Sequence, residues 1–327
     1  MSFRAIKIIL ESVKKLQIDL SGLTVLTEAG SGNYIYTPLI AYYGDARKIY
    51  VWTADSSYGK GKDIVADFTR ICKSHYVDIT RFEFAINERP KRHIKEADII
   101  TNLGFVRPMN SDFLSLMKPG AVIPYMCEAW EVRESDIDLN YCKENNIKVA
   151  GTWENHPSLG IFNGVGNLAS KLIYEANFEI WSNRILIISN DHFGKIISRS
   201  LTNQGVSHID TVSPNEMESI SEWNYDLILL ADYSTNKNSF SPDVVKILNQ
   251  STISVVHLCG LLDYDEMIKN QIFVYPAMNG LAKRMTRTLA YLGPSPVINL
   301  HAAGIKVGHE LIQGDITNLS QPITFIK

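Results

Sequence analysis

Several residues have the type and spacing to do chemistry. His301 follows the apolar run Val297-Ile298-Asn299-Leu300 and precedes Ala302-Ala303-Gly304. A histidine at the end of an element can exchange a proton near neutral pH. Glu128, Glu131 and Arg133 lie in Cys127-Glu128-Ala129-Trp130-Glu131-Val132-Arg133, just after the apolar stretch 121–126. That is where a parallel strand presents its carboxyl end to a ligand. Glu154 and His156, in Gly151-Thr152-Trp153-Glu154-Asn155-His156-Pro157, follow another strand. They form an acid/base pair or two metal ligands, but spacing offers no third donor, so no metal is expected. Asn102, Gly104 and Arg107 follow the strand 97–102 and face the same side. Arg284 and Arg287 offer charge to a carboxylate or phosphate, or to solvent. Cys259 reads as a small buried residue before it reads as a nucleophile.

A second group of residues forms an anion-binding pattern. The strand Arg184–Ser189 runs into Ser189-Asn190-Asp191-His192-Phe193-Gly194, which opens a helix. Amides and dipole at such a helix start attract phosphate. Ser189 and Asp191 stand where a dinucleotide turn carries its first two glycines, and only Gly194 remains. A carboxylate at 191 opposes a pyrophosphate. Asp210 lies within the next strand, and Ala231 ends the strand 226–231. A second glycine-rich turn, Ala29-Gly30-Ser31-Gly32-Asn33-Tyr34, precedes a strand that ends near Asp55. A tight βα turn in a flavodoxin-like domain is its simpler reading.

These groups need a scaffold. Strands are expected at 23–27, 48–53, 97–102, 121–126 and 147–150, with helices at 36–43, 64–73, 112–117 and 136–145. Helical patterns cover 157–176 and 279–292, the latter closed by Pro294 and Pro296, and the tail 304–312. Further strands fall at 184–189, 206–212, 226–231 and 254–258 around a helix at 194–203. Alternation of this kind predicts an α/β chain with two Rossmann-like or flavodoxin-like doubly wound domains and a cleft between them. The first domain is expected at 1–155 plus 300–327. The second, of nucleotide-binding type, is expected at 156–299.

Three stretches resemble the D-2-hydroxyacid dehydrogenase family, the formate and glycerate dehydrogenases among them. They are Asp136-Ile137-Asp138-Leu139 through Asn146-Ile147-Lys148-Val149, Val255-Val256-His257-Leu258-Cys259-Gly260-Leu261-Leu262-Asp263, and Val297-Ile298-Asn299-Leu300-His301-Ala302-Ala303-Gly304. The resemblance implies an NAD(P)-dependent oxidoreductase acting on a small polar or acidic metabolite. It implies NAD or NADP at Ser189, Asn190, Asp191, His192, Phe193, Gly194, Asp210, Ala231 and Cys259. His301 would be the acid/base and Arg133 or Arg107 would hold an acidic group of the substrate, whereas Glu128, Glu154 and His156 would serve a non-redox enzyme in the same cleft. The family's substrate-clamping arginine is Cys259 here, and Ile272–Pro276 lacks the family's glutamate. The alternative is therefore a lyase, transferase, hydrolase or metabolite-binding protein on the same fold with a decayed dinucleotide site.

The 327 residues carry 35 acids against 32 lysines and arginines, a net charge of −3. The pI is near 6.3. That balance gives no reason to expect nucleic acid or a membrane surface as partner. The four cysteines lack paired spacing, and the N-terminus reads as neither signal nor span. The expectation is a cytoplasmic protein with reduced thiols. It is expected to form a homodimer, with the small residues of 157–176 open to close helix contact.

Overall fold

The computed structural model describes residues 2–233, 237–314 and 319–323. The chain divides into two compact units, Met1–Ile161 with Gly293–Lys327, and Phe162–Leu292. The sequence places these crossings at 155/156 and 299/300.

The first unit runs α1 (Ser2–Leu16), β1 (Thr24–Glu28), α2 (Thr37–Tyr43), β2 (Lys48–Thr53), α3 (Gly61–Ser74), β3 (Phe82–Ile86), α4 (Lys91–Glu96), β4 (Ile99–Ile100), α5 (Ser111–Leu114), β5 (Val122–Tyr125), α6 (Leu139–Glu144) and β6 (Lys148–Thr152). The second holds α7 (Asn163–Glu175), β7 (Arg184–Ile188), α8 (His192–Asn203), β8 (His208–Val212), β9 (Leu227–Ala231), α9 (Pro242–Asn249), β10 (Ser254–Cys259), α10 (Tyr264–Lys269) and β11 (Val274–Tyr275). The chain then returns to the first unit through α11 (Pro294–Gln313) and β12 (Ser320–Pro322).

The first sheet has the order β12-β6-β5-β4-β1-β2-β3. Its strands are parallel except β12, which joins β6 antiparallel. The order 3-2-1-4-5-6 reverses between β1 and β4, and ligands of open α/β sheets bind at the carboxyl side of such a switch point. The second sheet, β11-β10-β9-β7-β8, is all parallel and follows the flavodoxin order 2-1-3-4-5. The longer, dinucleotide-type order thus belongs to the first unit.

Period-two alternation decides the layers. In the second unit Ile185, Ile187, Leu227 and Leu229 pack with α7 and α8. Leu186, Ile188, Ile228 and Leu230 pack with α9 and α10 on the opposite face. Each fully buried Ile or Leu contributes about 2 kcal/mol. In the first unit Leu26, Tyr50, Ile100, Ile123 and Val149 meet Ile94, Phe113 and Cys142 on one face. On the other face α11 lies against β5 and β6.

Three sequence expectations change. Residues 279–288 form irregular backbone rather than a helix, followed by a short 3-10 turn, Leu289–Leu292. The prolines at 294 and 296 open α11 instead of closing a helix, because a first-turn proline loses no intrahelical bond. The small residues of α7 are used within the unit. A Cβ on Gly166 would stand 2.5 Å from Ser200 Cβ, and one on Gly164 would stand 3.3 Å from Leu289 Cδ2. Among the described residues no helix is long and apolar enough to cross a membrane.

Candidate functional site

The turn after β7 has the architecture of an anion site, but its own side chains fill it. Asp191 is the N-cap of α8. Its Oδ1 accepts the Phe193 amide at 2.8 Å, and its Oδ2 accepts the Tyr233 amide at 2.8 Å. The Gly194 amide donates to Ser189 Oγ at 3.2 Å. The Asn190 amide lies 3.3 Å from Asp232 Oδ1. Gly194 keeps the helix close to the sheet, since a Cβ there would lie 2.9 Å from Ser189 Cβ and 3.2 Å from Thr211 Cγ2. A pyrophosphate held in the usual way needs these amides and no negative charge beside them. Asp191 takes two of the amides and places its charge there, so the turn as it stands does not fit that group.

The other residues expected around a dinucleotide are scattered in role. His192 is exposed, while Phe193 packs against Phe162 and Tyr233. Asp210 lies inside β8 and is engaged by His208 Nε2 at 2.8 Å and the Tyr225 hydroxyl at 2.7 Å. Ala231 and Cys259 are fully buried at the ends of β9 and β10. Burial pushes the Cys259 thiol well up, which removes it as a nucleophile. The glycine-rich turn after β1 is closed by Tyr34, whose Cβ would meet a Cβ on Gly30 at 2.9 Å. Asp55 staples its own loop through the Gly61 amide and Lys60, each at 3.0 Å, and these bonds pull it down to about 2.

His301 does not end an element. It sits inside α11, 3% exposed, with Nδ1 2.7 Å from Thr37 Oγ1 and its ring 5.9 Å from Tyr34. The apolar run before it, which resembles a strand end, is the first half of that helix. Burial drives His301 down to about 4, so the imidazole is neutral at pH 7. Thr37→Val should cost about 1.5 kcal/mol, because it strands a buried ring nitrogen. A shift in the thermal midpoint checks this, and an unchanged midpoint would remove the bond's structural importance.

The polar groups converge instead at the carboxyl edge of the first sheet. Tyr125 of β5 is in register with Gly151 of β6. The residues just beyond each strand therefore meet. Donor atoms of Cys127, Glu131 and Glu154 all lie within 4.8 Å of one another. Glu128, 5% exposed, accepts the Asn155 amide at 3.3 Å and Gln321 Nε2 at 2.8 Å. Gln321 Oε1 in turn accepts the Ala129 amide at 2.7 Å, so β12 pins this turn. Desolvation, then Glu131 and Glu128, push the Glu154 carboxyl well above its usual range. Burial also raises the Cys127 thiol, while Arg107 and Arg133 pull it the other way. Arg133 is exposed. His156 Nδ1 lies 2.7 Å from Ser158 Oγ, and among the described residues no hydrogen bond or ion pair joins His156 to Glu154. The acid/imidazole pair expected from their spacing is therefore divided.

Sequence reasoning overlooked Glu28. It ends β1 at the switch point, 6% exposed, and Oε2 accepts the Phe105 amide at 2.8 Å. Burial raises it to about 7, against the opposing pull of that amide and of Arg107. Arg107 is itself held by Asp136 at 2.8 Å. Position at a strand end was the one available signal, and burial of an acid cannot be read from sequence.

No family model and no curated protein matches the chain. Solved structures do. A dipicolinate synthase component from Bacillus halodurans aligns at TM-score 0.56 and 12% identity over 87% of this chain and 96% of its own. NAD-dependent formate dehydrogenase from Staphylococcus aureus, in complex with NAD, aligns at 0.52 and 13% over 91% and 98%. The D-lactate dehydrogenase of Escherichia coli aligns at 0.50 and 13% over 91% and 99%. The fold is that of the two-domain dehydrogenases with Rossmann-like sheets, as the sequence resemblance implied.

Proposed function

We propose that this protein is a small-metabolite enzyme on the two-domain dehydrogenase fold, acting on a polar or acidic compound at the carboxyl edge of its first sheet. The observation that carries this reading is the meeting of Cys127, Glu131 and Glu154 beyond two paired strands, with Glu128 behind them. Glu154, with its raised affinity for a proton, is the acid/base of the proposal, and Arg133 holds an acidic group of the ligand. Oxidoreductase chemistry with NAD or NADP is the form the fold favours, since the Staphylococcus aureus relative was solved with NAD. The Asp191 cap supports the second reading, a non-redox enzyme or metabolite-binding protein that leaves the turn closed.

Tryptophan quenching by NADH and NADPH separates the two. Saturation at micromolar cofactor favours the redox form. No response at millimolar cofactor favours the other. Asp191→Gly frees two amides and removes a charge, so it should tighten NADH binding about tenfold if the turn is a cofactor loop. Unchanged or weaker binding would refute that assignment.

A further inference from the structure

We propose that a cavity inside the first unit binds an adenosine moiety, with the ribose diol at Asp55 and the base against Tyr58. The cavity measures about 540 Å3 and lies between the turn after β1, the turn after β2 and one face of α3. Its volume falls in the range of small-ligand sites, roughly 300–1,000 Å3. All of its lining residues belong to the first unit. None comes from the Glu154 cluster or from the turn capped by Asp191, so this site stands apart from the proposed reaction.

The strands β1 and β2 are parallel neighbours in the sheet of order 3-2-1-4-5-6, so the residues beyond their ends share its carboxyl edge. Tyr34 closes the turn after β1 at Gly30. At Gly32, where φ is +61°, nothing stands within 4 Å of an added Cβ, and a ligand can approach the backbone there. Asp55 follows β2, the place from which an acid takes ribose hydroxyls in sheets of this order. Its Oδ1 accepts the Gly61 amide at 3.0 Å and Asn87 Nδ2 at 3.2 Å, and these bonds hold the carboxylate in place. Its Oδ2 lies 3.0 Å from Lys60 Nζ, in a pair whose side chains are 41% and 67% exposed. Such a pair is weak and leaves Oδ2 a lone pair for a hydroxyl.

The rest of the lining suits a base. Ile35, Tyr36 and Ile64 give it a buried apolar floor. Tyr58 also lines the cavity and is 84% exposed, so its ring is available for stacking. Asp63, on the α3 wall, is exposed, and among the described residues its carboxylate has no hydrogen bond or ion pair. It can accept the exocyclic amine of adenine, which hypoxanthine lacks. The two cations of the lining are each paired, Lys60 with Asp55 and Arg70 with Asp67. The cavity therefore matches a neutral nucleoside unit better than a chain of phosphates.

The test is equilibrium dialysis of the intact chain against adenosine. Expected is saturation at one equivalent below millimolar concentration, with deoxyadenosine and inosine each about tenfold weaker. Adenosine monophosphate and NADH should bind no tighter than adenosine. Asp55→Asn should weaken adenosine about tenfold and erase its preference over deoxyadenosine, because asparagine keeps an acceptor for the Gly61 amide and replaces the other oxygen with a donor. If Asp55→Asn misfolds, Tyr58→Ala carries the test. That ring is exposed, and its loss should cost about tenfold with the diol preference intact. Lys246→Ala, exposed on α9, should change nothing. No binding at millimolar adenosine, equal affinity for adenosine and deoxyadenosine, or tenfold tighter binding of the monophosphate would overturn the site. NADH bound here is weakened by Asp55→Asn and unaffected by Asp191→Gly, which separates this cavity from the turn after β7.

Discussion

Glu28→Gln is expected to stabilise the first unit by about 4 kcal/mol at pH 8 and by almost nothing at pH 4. Glu28 is 6% exposed and has its folded-state value raised to about 7, whereas an unfolded chain leaves glutamate near 4.3. A raised value means the native state holds the proton more tightly. The stability this supplies is fully present below the unfolded value and is lost as pH rises from about 4.3 through about 7. Roughly 2.7 units at 1.36 kcal/mol each set the size. Glutamine keeps an oxygen to accept the Phe105 amide and never ionises. The measurement is the difference in denaturant stability between wild type and variant across pH 4 to 8. Taking the difference cancels His257 and His301, which burial lowers to about 4 and which act in the opposite direction. A pH-independent difference would show that the Glu28 carboxyl ionises in the fold as it does in water.

Gly151→Ala should cost about 3 kcal/mol and dismantle the edge cluster. A Cβ at 151 would stand 2.7 Å from the Ala129 nitrogen, 2.9 Å from its Cα and 3.1 Å from the Cys127 carbonyl. These are backbone atoms, so no rotamer change relieves the contact, and the cost falls at the upper end for overpacking. The turn carrying Cys127, Glu128 and Glu131 must lift off β6, parting the first and last from Glu154. Gly59→Ala is the control, since the nearest atom to its Cβ is a side-chain carbon at 3.8 Å. Thermal melts of both variants, with amide shifts at 127–131, check the prediction. A Gly151→Ala protein melting with the control would show that the turn is not seated on this glycine.

Asp191 illustrates what local pattern can reveal. A strand, a short polar turn and a helix placed an acid at a helix start, and an acid there caps its own helix. The acid at that position is legible in the residues, and the structure shows it capping α8. Pro294 and Pro296 illustrate the opposite. Proline punctuates both ends of helices, and nothing local said which end this was until α11 was seen to begin there. His301 was displaced by the same ambiguity. It moved from the end of an imagined strand to the interior of a helix.

The sequence alone determined the alternating α/β architecture, the two sheets and the acid at the helix start after Ser189, because each depends on residues adjacent in the chain or repeating along one element. Only the tertiary structure decided that Cys127 and Glu131 meet Glu154, that Glu154 and His156 part, and that Glu28 is buried at the switch point. The reason is register. Pairing Tyr125 with Gly151 carries distant residues to one edge, and burial there sets which of them can hold a proton.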